Sequence, residues 1–463
     1  MRLSCEEICR IIGAEHALCC DRREVLGAAI DSRSIQPGQL FVCIAGSRVD
    51  GHNFAAQARA AGAGAILAER MPRDLPVDTP IMLVSDSVAA LGRLAAWWRQ
   101  ASKATVIGIT GTAGKTTVKE VLAHILGHSG PTAKNPVNLN NQIGLPLSIL
   151  ATEGKEKFWV LEVGISQTQD MDELGAILRP DLALVLNVGA GHTEGLGARK
   201  VAYYKARLLH YLSPYGLGLV SADYPDLVRE SRVVCRNLHF FSIEGRQADY
   251  RAAYRGPGTG NKGWYRLWLK DESLDIEAPF RGHYGAENLI AAASVAHLAG
   301  MSATDIAQSL AGAQLPAQRF ACRPAGPWLL VDDSYNANPL SCRRMLETAA
   351  EIAQGSPLLC VFGEMGELGE MAEEEHEALG RQIAAFSPAV LFWKGAYGAA
   401  LNRGLASAAF AGKFIPVTNI EEFQACLERL SLPGGVALFK GSRLNHLEDF
   451  VKAFEKREAN NAL

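Results

Sequence analysis

The segment Val106-Ile-Gly-Ile-Thr-Gly-Thr-Ala-Gly-Lys-Thr-Thr117 constrains this chain more than any other. An apolar, β-branched run from Thr105 to Ile109 feeds a glycine loop, and Lys115-Thr116-Thr117 then opens an amphipathic pattern from Val118 to Leu126. Strand, glycine loop and helix in that order make a site for a nucleotide triphosphate. Glycines let backbone N–H groups close on phosphate oxygens, and the helix N-terminus adds partial positive charge. Gly111, Thr112, Gly114, Lys115, Thr116 and Thr117 are therefore candidate ATP contacts. Lys115 would reach the β- and γ-phosphates, and the Thr116 hydroxyl would hold Mg²⁺. The full Walker pattern has glycine where this chain has Ile109, so the match is the shorter Gly111-x-x-Gly114-Lys115-Thr116.

A loop of this kind belongs to an α/β fold, and at 463 residues about three domains are expected. Residues 1–86 read as a small N-terminal α/β unit, with strands Leu40–Ile44 and Ala65–Ala68 around a helix from Phe54 to Ala61. An alanine-rich helix from Val88 to Ala101 leads into the loop unit, and its Trp97 and Trp98 are expected to pack between domains. Residues 87–317 read as a central P-loop, parallel-sheet domain. In it, Phe158–Val163, Leu182–Val188 and Gly216–Val220 are buried strands, 169–178, 199–212 and 286–299 are helices, and 244–280 is an inserted meander. Pro316, Pro324 and Pro327 mark a second boundary. In residues 318–463, strands at 328–332, 358–362, 389–393, 413–417 and 436–440 each precede a helical pattern, giving a Rossmann-like unit whose end, from Arg457, is expected to fray.

A net charge of −3 argues against a general nucleic-acid or membrane-surface binder, so phosphate affinity must be local. No apolar run is long enough to span a bilayer, and the first residues lack a signal-peptide core. Ten cysteines without a CxxC pair fit a reducing, cytoplasmic setting rather than zinc or dithiol chemistry.

Other residues add chemistry near strand ends. Glu162 closes an apolar strand and is followed by Gly164, which suits an Mg²⁺ ligand or a water-orienting group. His192, flanked by glycines after the next strand, would face the same crevice as a metal ligand, with Glu194 a weaker candidate. Asn135, Asn138, Asn140 and Asn141 crowd one short segment, suited to an extended polar ligand or to a turn-rich loop. Asp332-Asp333-Ser-Tyr335-Asn336-Ala-Asn338-Pro339 sits between a strand and a helix start, and Lys440-Gly-Ser442-Arg443 offers cations at a later strand end. Lys205, in Val201-Ala-Tyr-Tyr-Lys205, is by composition an ordinary helix lysine.

Together these segments resemble the Mur ligase family over nearly the whole chain. The resemblance rests on Asp31-Ser32-Arg33, Pro37-Gly38, Asp50-Gly51-His52, the Gly-Lys-Thr loop, Asn138-Leu-Asn140-Asn141-x-Ile-Gly-x-Pro146, Glu162-x-Gly164, His192-x-Glu-Gly195, the Asp332–Pro339 segment, Phe362-Gly-Glu-Met-Gly-Glu-Leu-Gly369 and Lys440–Arg443. It implies an ATP-dependent amide ligase acting through an acyl phosphate, with UDP-N-acetylmuramoyl-tripeptide and D-alanyl-D-alanine as partners and the chain working as a monomer. A divergent member joining another carboxylate and amine is the alternative, and a P-loop binding protein without catalysis is a third reading. By the same resemblance Lys115, Glu162, His192 and Lys205 are catalytic, and Thr116, Glu162, His192 and a carbamylated Lys205 would hold two Mg²⁺ ions. Asn288 would face adenine, and Arg319, Asp333 and Tyr335 the nucleotide. Ser32, Arg33, Gly51 and His52 would line the uridine end, and Asn138, Asn140 and Asn141 would bind substrate. The chain departs from the pattern at Ile165-Ser166-Gln167, at Tyr284-Gly285, at Gln318 in place of glycine and at Leu444 in place of glycine. Lys205 also lies one residue closer to His192 than the pattern has it.

Overall fold

Continuous apolar runs become buried parallel strands, and these assemble into three main sheets. The computed structural model describes residues 1–136, 139–189, 200–430 and 432–461. The first sheet runs His16–Leu18, Ile81–Leu83, Ala65–Ala68, Leu40–Val42, Ala28–Ala29 and is antiparallel only at its His16–Leu18 edge. The central sheet has nine strands. Seven are parallel, in the order Tyr250–Pro257, Leu238–Ser242, Leu217–Ser221, Leu182–Val185, Thr105–Thr110, Phe158–Glu162, Thr132–Lys134. Gly263–Leu269 and Glu272–Ala278 then add antiparallel at the Tyr250–Pro257 edge, so the expected meander extends this sheet.

Strand order is what places the site. Thr105–Thr110 lies between Phe158–Glu162 and Leu182–Val185, with Glu162 opposite Ile109 and Val185 opposite Thr110. The carboxyl ends of three neighbouring strands thus deliver the loop 111–114, Glu162 and Asn187 to one rim. The loop leads straight into the helix Lys115–Gly127. The helix Gly282–Leu298 packs beside it and is buried on nearly all sides, which its Ala291-Ala292-Ala293 run permits.

The third sheet runs Ala321–Ala325, Trp328–Asp333, Gly435–Lys440, Leu358–Gly363, Val390–Lys394, Lys413–Pro416, antiparallel only in its first pair. Pro324, expected to mark a boundary, lies on this edge strand, where a missing N–H costs no ladder bond. Three further expectations need correcting. The terminal helix continues from Leu447 to Asn461, because Glu458 is buried and paired with Arg457. Trp98 packs on the apolar core that the first and central units share, its Nε1 donating within the central unit to Thr152 Oγ1 at 2.9 Å, but Trp97 is exposed. The expected 199–212 helix is an α-helix at Val201–Ala206 and then a 3₁₀ turn at Arg207–Tyr211.

The two interfaces of the central unit differ in kind. Leu40, Leu67 and Met82 of the first sheet share one apolar core with Leu94, Trp159 and Leu174. Each such side chain contributes about 1.5–3 kcal/mol by burial, so this contact is firm. The third unit instead meets the central one largely through polar pairs: Arg319 with Thr116, Asn338 with Thr112, Arg344 with Glu287, Asn261 with Cys322. The segment joining these two units holds Gln318 at φ +60° and Phe320 at φ +57°, left-handed backbone that non-glycine residues adopt at a cost of about 1–3 kcal/mol.

Candidate active site

A cleft of about 450 Å³ opens between the central and third units, with the phosphate loop as its floor. Gly114 is the tightest point of that floor. Its φ is +83°, and a Cβ there would lie 2.3 Å from Asn288 Oδ1 and 3.3 Å from the Tyr284 hydroxyl. Only glycine fits. Asn288 is buried, and its Oδ1 has no hydrogen-bond partner among the described residues, which leaves an acceptor free beside the loop.

Glu162 is fixed on every side. Its Oε2 accepts from Thr116 Oγ1 at 2.9 Å and its Oε1 from Asn140 Nδ2 at 2.8 Å. The Asn135 carboxamide pairs with both backbone groups of Glu162, accepting from its N–H at 2.9 Å and donating to its carbonyl at 3.1 Å. Asn135 is held in turn by Lys119, whose fully buried ammonium donates to the Asn135 carbonyl at 2.6 Å. Asn141 Oδ1 accepts the Gly144 N–H at 2.9 Å, tying the loop to the start of the helix Gly144–Leu150. The asparagine segment therefore serves Glu162 and the local backbone as well as the cleft; Asn138 lies outside the described residues.

Cations surround that carboxylate. Lys115 and Lys205 both donate to the Gly111 carbonyl, at 2.8 and 3.1 Å. Burial pushes the Lys115 amine below its ordinary range. Burial, then the neighbouring Lys115 charge, push the Lys205 amine well below it. Arg319 crosses from the third unit to reach Thr116 Oγ1 at 3.3 Å. The Arg319 guanidinium lies 4.1 Å from the Tyr335 ring centre, with Arg443 also over that ring at 5.6 Å. Asp333 takes Lys440 Nζ at 2.5 Å and the Phe320 N–H at 3.1 Å, so it orders the third unit's side of the cleft. His192 and Glu194 lie outside the described residues.

Thr116 and Glu162 place two hard oxygen donors side by side, which suits Mg²⁺: that ion takes one or two protein oxygens and completes its shell with phosphate and water. Among the described residues no group of three or more His, Cys, Asp or Glu gathers into an all-protein cage.

Four of the residues that depart from the family pattern have local roles. Gly285 gives room to Tyr265, whose hydroxyl would lie 2.5 Å from a Cβ there. Tyr284 carries the Arg344 guanidinium 5.1 Å over its ring. Ser166 and Gln167 present their N–H groups to Asp170 Oδ2 at 2.6 and 2.8 Å, opening the helix Asp170–Leu178.

The residues expected at the uridine end sit on the first unit and do not line this cleft. Ser32 Oγ donates to Gln57 at 3.1 Å, and exposed Arg33 pairs with Asp31. A Cβ on Gly51 would meet Ile44 N at 2.7 Å. His52 is buried: its Nε2 accepts the Glu69 N–H at 3.1 Å, which leaves Nδ1 as the donor to Asp50 at 2.7 Å.

Asn187, Glu287 and Arg344, all hydrogen-bonded at this site, were not singled out from the sequence. Their partners lie 57 or more positions away, and no local pattern marks them.

Three family models match the chain: the Mur ligase family catalytic domain over residues 24–99, the Mur ligase middle domain over 109–296, and the Mur ligase glutamate ligase domain over 318–443. The UDP-N-acetylmuramoyl-tripeptide–D-alanyl-D-alanine ligase of Escherichia coli (strain K12) is 33% identical over 431 residues, covering 92% of this chain and 93% of that protein. Its namesake from Bacillus subtilis (strain 168) is 29% identical, covering 92% of each. Among solved structures, MurF from Acinetobacter baumannii superposes with a TM-score of 0.88 at 27% identity, covering 98% of this chain and 99% of that one. MurF ligase from Thermotoga maritima in complex with ADP gives 0.81 at 29% identity, covering 94% and 98%.

Proposed function

The chain belongs to the Mur ligase family, and from that premise we infer that it is the ATP-dependent ligase joining D-alanyl-D-alanine to UDP-N-acetylmuramoyl-tripeptide in peptidoglycan precursor synthesis. The observation that carries this reading is the convergence of Lys115, Thr116 and Glu162 with Arg319 of the third unit around one cleft. A carboxylate is a poor electrophile. Its oxygen attacks the γ-phosphorus of ATP, ADP departs, and the acyl phosphate so formed is attacked by the dipeptide amine with release of phosphate.

Each residue has a physical task in that sequence. The loop amides and the Lys115–Thr117 helix start hold the phosphates, while Lys115 and Arg319 offset charge on the transferring group. Thr116 and Glu162 would hold Mg²⁺, which supplies further charge stabilisation when bound. Burial beside Lys115 shifts Lys205 toward its neutral amine, the form that reacts with carbon dioxide; as a carbamate it would offer oxygen to a second metal, together with His192. Asn288 and Tyr284, beside Gly114, would meet the nucleotide base from the central unit, and Asp333 and Tyr335, across the cleft, would close on it from the third.

We take residues 1–86 as the UDP-substrate unit, 87–317 as the ATP-binding unit and 318–463 as the unit that completes the nucleotide site, in a chain acting as a monomer. Ser32, Arg33, Gly51 and His52 then belong to the uridine end, and Asn140 and Asn141 to the path between the substrate and Glu162. No described helix is long and apolar enough to cross a membrane. Hydroxylamine trapping tests the chemistry. With ATP, Mg²⁺ and the UDP-muramoyl-tripeptide but no dipeptide, a hydroxamate of that substrate is expected; its absence, with the same substrate turned over once dipeptide is added, refutes the acyl-phosphate route.

A further inference from the structure

We propose that Arg344 and Glu287 form an interdomain latch that sets the phosphate loop through Asn187, so that docking of the third unit and binding of the triphosphate favour each other. This rests on reading the loop as the ATP site and adds a control built into its supporting residues.

Glu287, on the helix Gly282–Leu298, is fully buried. Its Oε1 accepts from the Tyr224 hydroxyl at 3.2 Å and from Arg344 Nη2 at 3.1 Å. Its Oε2 accepts from Arg344 Nη1 and from Asn187 Nδ2 at 3.0 Å. Arg344 comes from the third unit's helix Pro339–Ala353, and only 13% of its side chain is exposed. The pair is a forked guanidinium–carboxylate contact made across the boundary that the polar interface leaves free to open.

An ionised carboxylate can only accept, so Asn187 must face Glu287 with its NH₂ group. That orientation turns Asn187 Oδ1 to the loop, where it accepts the N–H of Thr112 at 3.1 Å and of Ala113 at 2.8 Å. Its Nδ2 also donates to the Ala113 carbonyl at 3.1 Å. The reversed amide would set an NH₂ against two N–H donors. Glu287 thus fixes the polarity of Asn187, and Asn187 fixes two peptides of the loop. The first-turn N–H groups that follow, from Gly114 onward, are left for phosphate.

Arg344 acts only when docked. With the third unit swung away, Glu287 faces water in the open cleft; with it docked, an unpaired Glu287 would be a buried charge. Removing Arg344 therefore penalises the closed state alone, and anything that binds better to that state loses affinity. Neither residue touches the reacting atoms, so both are positioning residues.

The test compares Arg344→Met, Arg344→Lys and Glu287→Gln with the unmodified chain. ATP affinity is read by calorimetry without peptide substrates, closure by small-angle scattering with ATP, and KM for ATP against kcat in turnover. Arg344→Met should weaken ATP binding and raise its KM on the order of 30-fold or more, shift scattering toward the open form, and change kcat at saturating ATP far less. Arg344→Lys should recover part of the affinity, and Glu287→Gln should weaken ATP binding while leaving the apo unfolding midpoint near that of the unmodified chain. Unchanged ATP affinity in Arg344→Met, or a loss matched by general destabilisation with normal closure, overturns the latch. Because binding and scattering need no peptide substrate, a latch effect without phosphate release would sink the ligase reading instead.

Discussion

Gly114→Ala is the sharpest local perturbation the loop allows. At φ +83° an alanine pays for left-handed backbone, about 1–2 kcal/mol. Its Cβ would also stand 2.3 Å from Asn288 Oδ1, about an ångström inside ordinary contact, with a buried side chain on the other side. Overpacking of that kind adds about 1–3 kcal/mol. The total, about 2–5 kcal/mol, falls on the loop conformation that binds phosphate. If the apo loop relaxes, the loss appears as a 30-fold to few-thousand-fold weaker ATP Kd; if it does not, it appears in unfolding free energy. Calorimetry and urea unfolding together should account for it. The two contributions separate in a double-mutant cycle, because in an Asn288→Ala background the same change meets the backbone penalty and only the milder 3.3 Å contact with the Tyr284 hydroxyl. Native ATP affinity and native stability in Gly114→Ala would refute the reasoning. So would an equal effect in both backgrounds.

Three further outcomes follow from the site. Glu162→Gln keeps neutral contacts to Thr116 and Asn140 but removes the anion, so turnover should fall on the order of 10²-fold or more while metal-free ATP binding changes little; Mg²⁺ titrations of activity and binding check this. Lys205 has its amine pKa lowered by burial and by Lys115, so the unfolded chain binds more protons between that lowered value and 10.5. Stability should therefore rise with pH through that window, and Lys205→Met should flatten the rise in urea midpoints; a parallel rise in both proteins would contradict the burial argument. Gln318→Gly relieves left-handed backbone and should raise the unfolding free energy by about 1 kcal/mol or less, measured by denaturant unfolding.

How much could be read from the residues alone depended on how far apart the partners lie. The loop and its helix form one continuous segment whose spacing is itself the geometry, so Gly111 to Thr117 was legible at once. Glu162 was legible because a lone carboxylate ends an otherwise apolar strand. Lys205 was not: only the fold brings it, 94 residues away, onto the Gly111 carbonyl, and the family resemblance had to point to it. The asparagine segment shows a different limit. A carboxamide serves a ligand, a helix cap or another residue's backbone equally well, and Asn135 and Asn141 hold Glu162 and a helix start. Pro324 misled for a simple reason: proline marks linkers and edge strands alike, and only pairing with Leu329 shows which applies. The Arg344–Glu287–Asn187 chain crosses three elements and two units, beyond the reach of any spacing rule.

The most direct measurement is phosphate release from ATP with UDP-N-acetylmuramoyl-tripeptide and D-alanyl-D-alanine, each omitted in turn. Sustained release is expected only with both present, accompanied by the UDP-linked pentapeptide. Equal release with either one omitted, or none with both, would contradict the account.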